Sequence, residues 1–111
     1  MKITSIKEDD LLFIQIDGDL DASSAILLDQ EIEAALDNGE QKIIVDCNAL
    51  DYISSAGLGV FMSYLKDFED QQVTLVLFGL SEKVMNVFKI LGLDNLLKIV
   101  ESKEAAVTVA A

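Results

Sequence analysis

The feature that most constrains the fold is an alternation between short β-branched runs and segments with helical spacing. The runs KIIVDC at residues 42–47 and VTLVLF at residues 73–78 are apolar on both faces, as buried parallel strands are. Each run is followed by a turn and then by apolar residues spaced three or four positions apart. Strands and helices that alternate in this way are joined by right-handed crossovers, so the pattern predicts an α/β fold with a mostly parallel sheet.

Further elements are predicted before and after this alternation. Residues 2–7 and 11–16 flank an acidic turn and form a hairpin, which makes the sheet mixed. The stretch GDLD at residues 18–21 breaks the strand pattern, and Ser23 or Ser24 begins a helix that stops at Asn38 and Gly39. The remaining predictions are a helix from the serines at 54–55 to about residue 70, a helix ending at Gly92, a strand at 96–100 and a short helix after Ser102. We therefore expect four to five strands with packed α-helices.

Length and charge limit the partners of the chain. Its 111 residues suit one domain, residues 1–111, and an apolar fraction of 51% allows a core without disulfides, with Cys47 as a small buried hydrophobe. The net charge of −12 disfavours nucleic acid and anionic lipid, and it favours a partner with a basic face. No segment has the length of a membrane span or the core of a signal peptide, so we expect a cytoplasmic monomer.

The residue inventory also argues against catalysis. Histidine is absent, so a Ser-His-Asp triad is impossible, and the one Ser-x-x-Lys match, Ser63 to Lys66, is a pattern that arises often by chance. No nucleotide-binding glycine motif occurs, and no lysine or arginine lies between Lys42 and Lys66 to hold a triphosphate. We expect neither an enzyme nor a cofactor.

Two adjacent serines, Ser54 and Ser55, stand where a strand gives way to a helix in the stretch DYISSAGLGVF. On a helical wheel at about 100° per residue, Ser54 falls near the centre of the apolar stripe and Ser55 about 100° away from it. Serine at a helix start commonly accepts a backbone N–H bond as an N-cap. We therefore expect Ser54 to face inward and Ser55 to face outward, with Ala56, Gly57 and Gly59 leaving the surface around Ser55 open.

Several loops are expected to meet the serines at one edge of the sheet. In a fold of this kind the strand-to-helix loops lie at the carboxyl edge, which brings Asp19 and Asp21 toward the turn at 52–57 and the loop at 79–81. Met62, one or two turns further along the flank of Ser55, is a possible contact for a partner. Asp19, Asp21 and Asp46 also leave open a magnesium-binding aspartate phosphoacceptor site, because Mg²⁺ prefers carboxylate oxygens.

These landmarks, in this order, resemble the STAS domain. The resemblance rests on GDLD at residues 18–21, KIIVDCNALDYI at 42–53, SSAGLG at 54–59 and VTLVLF followed by Gly79 and Leu80. It covers nearly the whole chain and implies a single-domain STAS-like fold. This is the fold of bacterial anti-sigma-factor antagonists and of related sensor and transporter modules.

The resemblance implies a non-enzymatic switch. Such antagonists bind an anti-sigma factor that is itself a serine kinase holding ATP and Mg²⁺; phosphorylation of one serine ends the binding, and a PP2C-type phosphatase restores it. Matched position by position, the acceptor is Ser55, and Asp21 matches a loop aspartate near it. The expected partner-binding residues are Asp19, Asp21, Ser54, Ala56, Gly57, Gly59 and Met62.

The chain departs from the antagonist pattern at two positions, which leaves a second function open. Ser54 stands where many antagonists have aspartate, and Ala56 stands where serine or threonine is common. The alternative is a constitutive STAS interaction subunit, never phosphorylated, in a transporter or signalling assembly.

Overall fold

Six strands form one mixed sheet in the computed structural model, which describes all 111 residues. The strands are β1 (Lys2–Glu8), β2 (Leu11–Leu20), β3 (Lys42–Asp46), β4 (Leu50–Ile53), β5 (Thr74–Phe78) and β6 (Lys98–Val100). Their order is β1-β2-β3-β5-β6, and β4 pairs with β2 outside this path. β1 is antiparallel to β2, while every other pair is parallel. The hairpin and the mixed, mostly parallel sheet are confirmed, with one strand more than expected.

Five α-helices connect and cover the strands. They are α1 (Ala25–Asp37), α2 (Ser55–Ser63), α3 (Leu65–Asp70), α4 (Glu82–Ile90) and α5 (Lys103–Ala110), and a 3-10 turn spans Leu93–Asn95. The helix start predicted at Ser102 is present, because the Ser102 hydroxyl oxygen accepts the backbone N–H of Ala105, three residues later. Ser81 caps α4 in the same way by accepting the N–H of Val84. α1 ends as predicted at Gly39, whose φ of +77° is the left-handed conformation of a helix stop.

The GDLD stretch does not break β2, and that prediction was wrong. The first part of β2 pairs with β3, and its last residues pair with β4, with a register shift between Gly18 and Asp19. Gly18 has a φ of +105°, which glycine adopts without the steric cost of a side chain. The strand therefore changes partner at Gly18 and continues to Leu20.

The helix predicted from the serines to residue 70 is divided at Tyr64 into α2 and α3. The Tyr64 hydroxyl donates a hydrogen bond to the Asp29 carbonyl of α1 at 3.1 Å, and its ring stacks on Phe68 with centroids 5.9 Å apart. These contacts fix Tyr64 against α1 at the point where the helix is interrupted. A single continuous helix was therefore the wrong prediction.

The sheet has a larger core on one face and a smaller one on the other. Helices α1 to α4 pack on the first face, where Phe61 of α2 and Phe88 of α4 are fully buried. Helix α5 covers part of the second face with two small side chains, Ala106 and Ala110. Cys47 is 1% exposed in the larger core, which confirms the prediction of a small buried hydrophobe.

Candidate functional site

The two serines take different positions at the start of α2. Ser54 is the N-cap: its side-chain oxygen accepts the Gly57 N–H at 3.2 Å, and its own N–H donates to the Leu20 carbonyl at 2.9 Å. Ser55, the first residue of the helix, is exposed. Ser54 is half-buried and Ser55 is exposed, which agrees with the more inward position predicted for Ser54. The Leu20 contact also joins the start of α2 to the end of β2.

The two glycines of α2 differ in their surroundings. Gly57 is buried, and a Cβ placed on it would lie 2.8 Å from Leu20 Cδ2 and 3.1 Å from Ile53 Cγ1. A Cβ on Gly59 would meet no atom within 4 Å, and this residue is exposed. Gly57 thus allows α2 to pack closely on the sheet and is not available for contact with a partner, which corrects its place among the expected contact residues. Gly59 leaves open surface one turn beyond Ser55.

The corner between β2 and α1 is organised by the carboxylate of Asp21. Its Oδ1 accepts hydrogen bonds from the Ser24 N–H at 2.9 Å, the Ser23 hydroxyl at 2.8 Å and the Ser24 hydroxyl at 2.9 Å. These bonds, the backbone N–H of Ser24 foremost, lower the pKa of Asp21 to about 2. Asp21 is therefore charged at neutral pH and held in one orientation beside the residue, Leu20, that pairs with Ser54. Ser24 makes no side-chain cap hydrogen bond to α1, and it is the side chain of Asp21, not that of either serine suggested as a cap, that accepts the N–H of Ser24 directly before α1.

Apolar and acidic side chains are exposed in the elements around Ser55. Met62 on α2 is 40% exposed, and Tyr52 of β4, which stands opposite the exposed Asp19 of β2, is 45% exposed. Ile26 and Leu27 in the first turn of α1 are also exposed. Sequence reasoning did not single out these last two or Tyr52, because an apolar residue on a helix or strand reads as core until its face is known. Met62 has the exposure expected of a contact residue.

The three aspartates considered for magnesium do not come together. Asp46 stands opposite Gln15 on β2, four residues before Asp19, which is roughly 13 Å along a strand at about 3.3 Å per residue. Its carboxylate accepts the Asn48 N–H at 3.0 Å, and no group of three or more carboxylate or cysteine side chains is placed to hold a metal ion. The magnesium phosphoacceptor reading is therefore contradicted by the geometry.

The remaining residues singled out by sequence have other roles. Gly79, at a φ of +79°, packs against the Asn48 side chain, so the loop after β5 adjoins the loop after β3. The Ser63 hydroxyl donates to the Val60 carbonyl at 2.7 Å, and Lys66 pairs with Asp70 at 3.3 Å. Ser63 and Lys66 therefore do not form a nucleophile and base pair. None of the helices is long and apolar enough to cross a membrane.

Comparison with known proteins identifies relatives of the whole chain. The family model for the STAS domain matches residues 2–106. The candidate anti-sigma factor antagonist BtrV of Bordetella bronchiseptica is 38% identical over 106 residues, which cover 96% of this chain and 91% of BtrV. At this identity and coverage the relationship extends over the full length of the fold.

Solved structures show the same fold. A candidate anti-sigma factor antagonist from Thermotoga maritima matches with a TM-score of 0.90 at 24% identity, over 97% of this chain and 93% of that one. The anti-sigma factor antagonist SpoIIAA matches in its unphosphorylated form with a TM-score of 0.75 at 17% identity, over 96% of this chain and 94% of that one. The phosphorylated form of SpoIIAA, from Bacillus, matches with a TM-score of 0.74 at 21% identity, over 97% of this chain and 99% of that one. The family model, the full-length relative and the shared fold together establish that this chain belongs to the STAS domain family.

Proposed function

We propose that this protein is an anti-sigma factor antagonist whose binding to its anti-sigma factor is controlled by phosphorylation of Ser55. The anti-sigma factor would be a serine kinase that supplies ATP and Mg²⁺, and a PP2C-type phosphatase would restore binding. Two comparisons support the proposal: BtrV carries this functional name, and SpoIIAA has been solved both with and without phosphate. The acceptor position and the contact surface are argued from the geometry of this chain.

The observation that carries the proposal is the different engagement of the two serines. The Ser54 oxygen is used to cap α2, whereas Ser55 is exposed, with the small residue Ala56 next to it in the chain. A kinase needs a hydroxyl that its active site can reach without unfolding the substrate. Ser55 meets that requirement, and Ser54 meets it only at the cost of the helix cap, about 1 kcal/mol.

The contact surface would surround Ser55 at the carboxyl edge of the sheet. Its proposed members are Asp19, Asp21, Ser54, Ala56, Gly59 and Met62. Asp19 and Asp21 give it negative charge, and no lysine or arginine lies between residues 43 and 65 to offset them. A partner that covers this surface would therefore present basic side chains, which raise the rate of association and its dependence on salt.

Adding phosphate at Ser55 would act on the complex more than on the free protein. A phosphoserine carries about −1.5 to −2 charges, and an unpaired dianion in an interface costs more than the roughly 1–3 kcal/mol of an unpaired neutral group. Shifting binding from 99% to 1% requires about 5.5 kcal/mol. In the free protein, by contrast, the start of α2 stabilises an anion by about 0.3–1 kcal/mol. Both effects favour release, so a local modification suffices without refolding.

The first test is phosphorylation in vitro. The protein would be incubated with ATP, Mg²⁺ and each anti-sigma serine kinase encoded in the same genome, and the modified residue would be located by mass spectrometry. We expect one phosphate on Ser55, which is absent from Ser55→Ala. Phosphate confined to Ser54, or none with any of these kinases, would refute the assignment and favour a constitutive interaction subunit.

The second test separates the position of the charge from its amount. Ser55→Asp should weaken binding to the same anti-sigma factor by about ten-fold or more. Ser63→Asp is the matched control, because it adds the same charge to an exposed serine at the other end of α2, about 12 Å away at 1.5 Å per residue. Binding of Ser63→Asp should stay within about two-fold of the wild type. Equal weakening by both variants would show that net charge, not the Ser55 position, governs binding.

A further inference from the structure

The edge of the sheet at β1 has no partner strand. β1 (Lys2–Glu8) pairs along its whole length with β2 and stands at one end of the strand order, so its other side faces away from the sheet. At the opposite end of the sheet, β6 has only three residues. A long edge strand presents backbone N–H and C=O groups that can pair with another strand. β1 is therefore the edge at which the sheet can be extended.

The side chains of β1 leave this edge accessible on both faces of the sheet. Ser5 donates a hydrogen bond to Glu31 of α1, and Lys7 pairs with Glu40, so both of these carboxylates have partners on the face that α1 covers. Because side chains alternate along a strand, Ile6 points to the other face, where it is 52% exposed. An approaching strand would cover Ile6 without burying either carboxylate unpaired.

The two ends of β1 carry opposite charges that have no ion-pair partner within the chain. The salt bridges of the protein are formed by Lys7, Lys42 and Lys66, and none of them includes Lys2 or Glu8. Both of these end residues are exposed. A strand with a cation at one end and an anion at the other is complementary to an antiparallel copy of itself.

One register satisfies both the backbone and the charges. In an antiparallel pair related by a two-fold axis, the outward backbone groups of alternate residues must face one another, so the axis passes through a residue. With the axis at Ser5, all seven residues of β1 are paired. Lys2 then stands opposite Glu8 twice, and Thr4 stands opposite Ile6. An axis at Thr4 or Ile6 would leave two residues of each strand unpaired and would separate the charges.

We propose that β1 pairs antiparallel with β1 of a second copy, about a two-fold axis at Ser5, to form a homodimer with one continuous sheet. Opposed residues on neighbouring strands have Cβ atoms about 4.5–5.5 Å apart, which a lysine and a glutamate can bridge. The dimer replaces the monomer that we expected from the sequence. Repulsion between two chains of net charge −12 opposes the contact, so we expect a dissociation constant of about 10–100 µM.

The two-fold axis leaves both Ser55 surfaces free. The axis reverses the direction of the strands, so the carboxyl edge of one copy lies beside the amino edge of the other. Ser55 follows Ser54, whose N–H bonds the Leu20 carbonyl at the carboxyl end of β2. The two Ser55 residues therefore lie toward opposite ends of the dimer, and pairing does not depend on the proposed switch.

A charge exchange tests the register. Sedimentation velocity would be measured from about 10 to 500 µM protein at about 0.15 M salt, where the Debye length is about 8 Å. We expect Lys2→Glu to raise the dissociation constant about ten-fold or more, because two attractive pairs become repulsive. Glu8→Lys should do the same, and both substitutions in one chain should restore the wild-type value. Lys98→Glu is the matched control, because it makes the same charge change on the other edge strand, and its dissociation constant should stay within about two-fold of the wild type.

Several results would overturn the proposal. A wild type that stays monomeric at about 500 µM would do so, as would a dimer that Lys2→Glu leaves intact or that the exchanged pair fails to restore. Hydrogen exchange gives an independent check, because the amides of β1 should gain protection as the protein concentration rises. Protection gained at β6 instead would place the contact at the other edge and refute the proposal. Ser55→Asp should dimerise like the wild type, so this test stands even if the proposed switch fails.

Discussion

Substituting alanine at the two glycines of α2 should change stability in opposite directions. At Gly57 the new Cβ would lie 2.8 and 2.9 Å from Leu20 Cδ2 and Cγ and 3.1 Å from Ile53 Cγ1. Leu20 is fully buried and Ile53 is 4% exposed, so neither side chain has free space into which to move. Overpacking of this kind costs about 1–3 kcal/mol, and contacts below 3 Å place it in the upper half of that range.

The helix propensity of alanine opposes this cost at Gly57 and acts alone at Gly59. Alanine is favoured over glycine in a helix interior by about 0.8–1.0 kcal/mol. We therefore expect Gly57→Ala to lower the free energy of unfolding by about 1–2 kcal/mol. Gly59→Ala should raise it by about 0.5–1 kcal/mol, because a Cβ there meets no atom within 4 Å.

Urea unfolding followed by far-UV circular dichroism would measure both changes. The slope of the transition should stay constant, so that the shift in midpoint reports stability alone. In thermal unfolding the corresponding shifts are about 4 °C for each kcal/mol in a domain of this size. If Gly57→Ala is as stable as Gly59→Ala, the close packing of α2 on Leu20 is not what requires glycine at position 57, and the reasoning is refuted.

Three other residues give direct tests of the structure. Burial, reinforced by the charge of Asp46, raises the pKa of the Cys47 thiol, so a thiol reagent at pH 8 should label it only after unfolding; rapid labelling of the folded protein would contradict this. The lowered pKa of Asp21 means that its contribution to stability is complete above the ordinary value of 3.8 and is lost as the pH falls toward 2. The difference in urea midpoint between wild type and Asp21→Asn should therefore shrink between about pH 4 and pH 2, and a difference independent of pH would refute the bonds assigned to Asp21. Ser54→Ala should lose about 1 kcal/mol of unfolding free energy with its cap, whereas Ser55→Ala should change it by less than about 0.5 kcal/mol; equal losses would contradict the assigned cap.

The parts of the fold that the sequence predicted correctly depend on local chemistry. The cap at Ser102 and the helix stop at Gly39 each involve residues within a few positions of one another. The alternating apolar runs predicted β3 and β5 because buried parallel strands are apolar on both faces. These signals are readable without knowledge of the partner element.

The parts that the sequence did not predict depend on contacts between distant residues. β4 has only four residues, and it is a strand because it pairs with the end of β2 beyond the register shift at Gly18. The division of α2 from α3 coincides with the bond from Tyr64 to α1, 35 residues away in sequence. In both cases tertiary contact overrides local propensity, which no pattern within one segment reveals.

The candidate site shows the same division. The exposure of Ser55 and the cap formed by Ser54 were predicted from the helical wheel and from the preference for serine at a helix start, and both are present. The burial of Gly57 was not predicted, because it depends on where Leu20 lies. Nor did the sequence reveal that Asp21 and its two following serines satisfy one another, since the aspartate was read as a free contact residue.

The arrangement of the two serines determines where a phosphate could be added without loss of the fold. A phosphate on Ser54 would occupy the oxygen that accepts the Gly57 N–H, beside the buried packing of Gly57 on Leu20. On Ser55 it would instead meet solvent and the positive end of the α2 dipole, which stabilises anions. The free protein would therefore tolerate modification at Ser55, and the free-energy cost would fall on a complex that covers this residue. The residue that caps the helix, Ser54, is thus distinct from the residue whose modification a partner would detect, Ser55.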